Sequence, residues 1–337
     1  MASSHLLLSF AAAVPAALLS GLLTWAIRPL LVQVALARPN ARSSHRIPTP
    51  QGGGIAVVAA TLAVAASVVA LAGSAGVQIP VTVFAATLFI AAVGFADDIK
   101  SIPVLPRLLL QGAAVAALIL AAPDDLRIAP TYPFWLERGL LLLAGLWFVN
   151  LVNFMDGLDL MTAAEIVPIT AALVLLGWLG ELPASMTITA AALLGAMIGF
   201  APFNRPVAKV FLGDVGSLPI GLLTGWCLLQ LAWHQQIAAA LLLPLYYLAD
   251  ATVTLLRRVA RREPFWAAHR THFYQRATDN GFSVWRVVSD VFVLNIALAA
   301  LAVGAAMTAS AAIAGLLFVI GGAATALVMY RFSRRRQ

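Results

Sequence analysis

The sequence predicts an all-α, polytopic integral membrane protein of about eleven transmembrane helices. Three observations predict it. Only 10% of the 337 residues are charged and 62% are hydrophobic, whereas a soluble domain carries about 25% charged residues. Apolar stretches of roughly 18 or more residues recur from one end of the chain to the other. They do not alternate as transmembrane β-strands do. Mean hydropathy is +0.94.

The first helix is expected over 6–36. No Lys or Arg precedes Arg28, so the basic start of a cleavable signal is missing, and the apolar run exceeds a signal's core. It is read as retained. The second, 53–73, opens on Gly52-Gly53-Gly54 and closes on Gly73-Ser74-Ala75-Gly76. The third, 79–96, and fourth, 105–122, end at Asp97-Asp98 and Pro123-Asp124-Asp125. The fifth is 135–153. Gly180-Glu181-Leu182-Pro183 separates the sixth, 161–180, from the seventh, 184–200, which stops before Pro202-Phe203-Asn204. The eighth and ninth are 216–233 and 237–256, and the last two are 285–307 and 311–331. The chain is read as one transmembrane catalytic domain, 1–337.

Eleven spans place the termini on opposite sides. Of the 21 Lys and Arg, all but Arg127 and Arg138 fall on one side. That side is cytoplasmic by the positive-inside rule, with the N-terminus outside and the C-terminus cytoplasmic. This topology accounts for most of the +7 net charge, so the basicity does not call for nucleic acid as a partner. Cys227 is the only cysteine, which excludes intramolecular disulfides and cysteine metal clusters.

The motif-like polar clusters all fall on the cytoplasmic side: ARSSHRIPTPQGGG, GFADDIKS, NLVNFMDGLD, FNRPVAKVFLGDVGS and AHRTHFYQRA. Five aspartates stand at helix ends there: Asp97, Asp98, Asp156, Asp159 and Asp214. One such acid is readily a helix cap, and Asp214, just before a helix, reads equally well as one. Five on one face point to a shared task. Asp156 and Asp159 share a face if the local chain is helical, although Gly157 is a potential break. Asp97 and Asp98, about 100° apart on a helix, need different roles. Converging carboxylates repel and raise one another's pKa. A hard divalent cation, Mg²⁺ or Mn²⁺, relieves this and suits a phosphorylated substrate.

Gln51-Gly52-Gly53-Gly54 follows Arg42, His45 and Arg46. Both an anion site and a tight turn with close helix packing are open for it. Lys100, Arg107, Arg205 and Lys209 lie near the acids in sequence and together suit a pyrophosphate. His269 and His272 flank Arg270 in a loop that lacks zinc spacing, so an anion site or proton carrier is the better reading. Asp250, inside the ninth helix, is a functional candidate by default, with Arg257 and Arg258 as alternative partners.

The ordered set GFADDIKS, NLVNFMDGLDL, APFNRPVAKVFLGDVGS and the His-containing loop, with PTPQGGG before it, resembles the polyprenyl-phosphate N-acetylhexosamine-1-phosphate transferases. The motifs span 38 to 276. The resemblance implies a multi-pass protein of the bacterial inner membrane, with ten or eleven helices and an active site facing the cytoplasm. There a polyprenyl (undecaprenyl) phosphate attacks the β-phosphorus of a UDP-N-acetylhexosamine and UMP leaves. The product is a polyprenyl-diphosphate sugar that initiates cell-surface glycan synthesis, such as cell wall or O-antigen. It implies Asp97, Asp98, Asp214 and His272 as catalytic residues. Asp214, Asp98 and Asp156 are implied as Mg²⁺ ligands. Lys100, Asn153, Asp156, Asp159, Asn204, Lys209, His45, His269 and Arg270 are implied as substrate contacts. Tyr274 and Gln275 stand where relatives often carry further histidines, and His269 where an Asp is common. This resembles a subgroup acting on dideoxy N-acetyl sugars, and points away from plain UDP-GlcNAc and from the muramoyl-pentapeptide donor. The oligomeric state is open, a homodimer included.

An ion-coupled membrane transporter is the competing reading. It predicts acids near the bilayer midplane and an inverted repeat, neither of which the sequence displays.

Overall fold

Four prolines set where helices begin. Pro80, Pro103, Pro133 and Pro183 immediately precede α3 (Val81–Ile99), α4 (Val104–Leu120), α5 (Phe134–Met155) and α7 (Ala184–Phe200). Proline lacks the N–H needed to extend a helix backwards, and its ring blocks the preceding turn. The computed structural model describes residues 2–37, 47–71, 77–264 and 269–335, with side chains from residue 6. The remaining helices are α1 (Ala2–Val34), α2 (Gly54–Leu71), α6 (Met161–Trp178), α8 (Asp214–Trp233), α9 (Ile237–Leu242), α10 (Leu245–Ala260), α11 (Phe273–Asp279), α12 (Val284–Ala306) and α13 (Ala311–Phe332). Ser283 and Ser310 cap α12 and α13 by accepting the amides of Arg286 and Ile313.

The chain is an all-α polytopic membrane protein. Among the described residues nine helices are long and apolar enough to cross a bilayer, and α4 is a shorter apolar helix. The expected ninth helix, 237–256, is two helices: α9 ends at Leu242 and α10 begins at Leu245. Pro244 between them cannot donate to a preceding carbonyl. The only strands among the described residues are Leu36–Ala37 and Thr49–Pro50, which pair antiparallel.

Helix α8 is the hub. It packs between α3 and α5 and also against α2. A Cβ on Gly54 at the start of α2 would collide with the Gly216 backbone, so these two helices approach as closely as small residues allow. This settles the glycine run. The amides of Gly52 and Gly53 bond Phe211 O and that of Gly54 bonds Leu212 O, which is a turn with close packing. Leu7, Leu18, Trp25, Val319 and Leu327 on α1 and α13 face outwards, as lipid-exposed positions do.

The C-terminal ends of α3 and α5 and the N-terminal end of α8 meet at one end of the bundle. Arg127 and Arg138 lie at the other. There Arg127 pairs with Glu137 at 2.8 Å, and Arg138 donates to Pro123 O at 2.7 Å beneath the rings of Phe134 and Trp233. The two basic residues that break the positive-inside bias are thus absorbed by local partners.

Candidate active site

Because α3 ends where α8 begins, two adjacent acids of α3 reach different partners. Asp98 turns to α8: its Oδ1 accepts the amide of Asp214 at 2.9 Å and its Oδ2 that of Val215 at 3.0 Å. These are amides that the first turn of a helix leaves unsatisfied. Gly213, at φ +76°, makes this possible, since a Cβ there would lie 2.6 Å from Asp98 Oδ2. Gln51 Nε2 donates to the Asp98 carbonyl at 2.8 Å. Asp97 turns the other way, accepting from the Ile102 amide and pairing with Arg107 at 2.9 Å. Asp214, read from the sequence as a possible cap, makes no capping bond. Asp98 performs that task, and the Asp214 carboxylate accepts from Asn153 Nδ2 at 2.7 Å. The same nitrogen also donates to Ser217 Oγ at 2.9 Å.

Asp156 and Asp159 share no helical face. Helix α5 ends at Met155, and 156–160 form the connection to α6. Thr162 Oγ1 donates to Asp156 Oδ1. Burial, with the Asp98 and Asp159 carboxylates nearby, pushes the Asp156 carboxyl up to about 7, against the Thr162 bond that pulls it down. Asp159 Oδ2 accepts the Ala208 amide at 3.0 Å. Asn204 is buried between Leu160 N, from which its Oδ1 accepts, and Val210 O, to which its Nδ2 donates. Both ends of its side chain are engaged in joining two loops.

These residues surround a cavity of about 550 Å³ whose lining includes Asp98, Asn153, Asp156, Asp159, Asp214 and Gln275. Gln275 is 7% exposed, and its Oε1 is buried without a hydrogen-bond partner. A second cavity, about 690 Å³, lies between α4, α5 and α10. It is apolar, lined by Leu108, Leu143, Leu146, Trp147 and Leu255, but its head carries Arg107, His269 and His272. Arg107 Nε is buried and unpartnered. The two cavities share Asn153 and Asp214.

His272 Nδ1 lies 3.2 Å from Asp250 Oδ1. Asp250 is fully buried and its partners are not the arginines of its own helix. Arg258 bonds Glu263 at 2.8 Å and Arg257 lies over the Phe273 ring. The His269 and His272 rings lie 4.9 Å apart. Burial first, then the neighbouring His272 and Arg258, hold the His269 imidazole down at about 4. Lys100 and Lys209 are exposed and line neither cavity, and Arg270 pairs with Asp279 at 3.3 Å. His45, Arg42 and Arg46 lie outside the described residues.

Among the described residues no three His, Cys, Asp or Glu side chains form a preassembled metal cage. Mg²⁺ does not require one, because it takes one or two carboxylates, several waters and substrate phosphates. Asp214 and Asp156 fit that demand: each lines the first cavity and accepts one side-chain donor, from Asn153 and Thr162. Each oxygen of Asp98 accepts one α8 amide and keeps a further lone pair.

Sequence reasoning placed the acids at one end of the bundle. It missed Gln51, Thr162 and Gln275 as lining or supporting residues. Only the neighbouring glycine run and the histidine substitution gave a signal for Gln51 and Gln275, and nothing marked Thr162.

The chain is similar to known transferases. The family model described as glycosyl transferase family 4 matches residues 80–232. The phospho-N-acetylmuramoyl-pentapeptide-transferase of Shouchella clausii is 29% identical over 323 residues, 88% of this chain and 95% of that relative. The like-named protein of Leuconostoc mesenteroides is 30% identical over 201 residues, 54% of this chain and 62% of the relative, less than two thirds of its length. A protein of Bacillus subtilis described as a probable undecaprenyl-phosphate N-acetylglucosaminyl 1-phosphate transferase is 25% identical over 273 residues, 76% of this chain and 75% of the relative.

Proposed function

We propose, on the match of residues 80–232 to the glycosyl transferase family 4 model and the likeness to the transferases named above, that the chain transfers an N-acetylhexosamine-1-phosphate from a UDP-sugar to a polyprenyl phosphate. UMP is released, and the polyprenyl-diphosphate sugar starts a cell-surface glycan. The observation that carries this reading is the pair of cavities meeting at Asn153 and Asp214. The acid-lined one suits a soluble nucleotide sugar. The apolar one, headed by Arg107 and His272, suits an isoprenoid chain ending in a phosphate.

Two anionic substrates repel until cationic groups intervene, and phosphoryl transfer is catalysed mainly by positioning and charge neutralisation. Arg107 offers its free Nε to the acceptor phosphate. Asp214 and Asp156 are the residues to hold Mg²⁺ or Mn²⁺, which would neutralise charge on the donor diphosphate. Asn153 orients Asp214. Gln275 Oε1 is an unclaimed acceptor for an N–H or O–H of the sugar, consistent with a donor whose substituents differ from those the histidine-bearing relatives take. The acceptor phosphate oxygen attacks the β-phosphorus directly. The bond from that phosphorus to the bridging oxygen breaks, and UMP departs with the oxygen.

In this reading the protein lies in a bacterial inner membrane with the acid end at the cytoplasm, where nucleotide sugars are found. The distribution of Lys and Arg supports this orientation. The test is purified protein with Mg²⁺, undecaprenyl phosphate and a panel of UDP-N-acetyl sugars. Release of UMP that depends on the lipid phosphate supports the reading; no UMP from any donor ends it.

A further inference from the structure

Asp250 sits at the centre of five hydrogen bonds. Its Oδ1 accepts the Phe273 amide at 2.9 Å and Thr254 Oγ1 at 3.2 Å, and lies 3.2 Å from His272 Nδ1. Its Oδ2 accepts the Tyr274 amide at 3.1 Å and Tyr246 Oη at 3.2 Å. Amides can only donate, so these oxygens act as acceptors, and His272 Nδ1 meets them as N–H. The ring is 3% exposed and lies between His269 and Tyr274, whose centroids are 4.9 and 5.8 Å away. It therefore has one orientation, and Nε2 is the nitrogen left for the acceptor cavity that His272 lines.

We infer that Asp250 is a positioning residue: it fixes His272 with the proton on Nδ1, so that Nε2 is free to take a proton from a phosphate entering the apolar cavity. The O–H bond of the singly protonated phosphate monoester breaks and an N–H bond forms at Nε2. The imidazolium so formed is stabilised by the Asp250 carboxylate, and the proton later leaves to water. The phosphate is then a dianion, the better nucleophile. Satisfying the two amides that begin α11 would need no link to the ring. The added Nδ1 contact ties the start of that short helix to the orientation of the imidazole, so one buried carboxylate positions both.

The identity of the phosphate rests on the transferase reading, whereas the pairing of Asp250 with His272 does not. Two measurements on the full-length protein in detergent separate them. The first is the ¹⁵N spectrum of labelled histidine rings, with His272 assigned by its loss in His272→Ala. Wild type should give the Nδ1–H tautomer, and Asp250→Ala, which removes the acceptor facing Nδ1, should shift the ring towards Nε2–H. An Nε2–H ring in wild type overturns the proposal whatever the activity. The second is UMP release. Asp250→Asn should lower kcat by about 10²-fold with little change in KM for the nucleotide sugar, and Asp250→Glu should restore part of it. Asp250→Asn added to His272→Ala should cost nothing further, because one residue acts through the other. Additive losses would return Asp250 to a purely structural role. Tyr246→Phe, which removes another bond to the same carboxylate, should leave kcat near wild type. If wild type releases no UMP, the transferase reading fails while the ring spectrum still decides the pairing.

Discussion

Asp98 holds the first amide of α8: its Oδ1 accepts the backbone N–H of Asp214 at 2.9 Å, across 116 positions of sequence. One acid of the site thus fixes the helix that presents another. Asp98→Ala strips acceptors from two amides, and loss of such a cap costs about 1–2 kcal/mol. The thermal unfolding midpoint in detergent should fall, less so for Asp98→Asn, which keeps one acceptor oxygen. An unchanged midpoint in the alanine variant would remove the capping role.

The Asp214 side chain takes no part in that cap, so its replacement should spare the fold. Asp214→Asn is expected to lower turnover by about 10²–10³-fold with a near-wild-type unfolding midpoint. UMP release at close to the normal rate would show that Asp214 is not the residue holding the cation.

Asp156 gives the site a pH dependence. Its carboxyl, pushed up to about 7, is protonated and a poor ligand below that pH, and ionised and competent above it. The Mg²⁺ concentration giving half-maximal UMP release should fall as pH rises through about 7 and then level off. Thr162→Val removes the hydrogen bond that favours the ionised form and should move the transition upward. A magnesium requirement that is flat from pH 6 to 8 would contradict the assignment.

Arg107 connects Asp97 to the apolar cavity. Arg107→Ala should raise KM for the polyprenyl phosphate much more than KM for the nucleotide sugar, measured by varying each substrate in turn. Equal effects on both would place the arginine outside the acceptor site.

Gly157 faces α11: a Cβ there would overlap Tyr274 Oη and lie 3.1 Å from Gln275 Nε2. Gly157→Ala should therefore displace the wall of the donor cavity and cut UMP release. Tyr274→Phe in the same chain removes the overlapping oxygen and should recover part of the loss. A double variant no better than the single would show that the collision is relieved elsewhere.

Much of the architecture was legible because each helix announces itself locally. The prolines before α3, α4, α5 and α7 and the apolar runs after them need no partner to be read. The expected ninth helix failed at Pro244 because its apolar stretch continues across the break, and hydropathy alone cannot sense a missing N–H. Among the acids, the gathering at one end was legible from helix direction, and the different duties of Asp97 and Asp98 from their angular offset. Their partners were not. A helix cap was one of two open readings of Asp214, and Arg257 and Arg258 were the alternative partners offered for Asp250, because those are the neighbours a linear reading offers.

The sequence by itself determined that this chain resides in a membrane, where most of its long helices start and stop, and at which end its polar groups collect. These are properties of contiguous segments, set by the transfer of each apolar stretch into hydrocarbon. Only the tertiary structure decided that Asp98 supports α8 while Asp214 and Asp156 face a cavity, and that His272 leans on Asp250. A hydrogen bond depends on which atoms meet within about 3 Å, and the packing of α3, α5 and α10 around α8 brings together groups that are far apart in the chain.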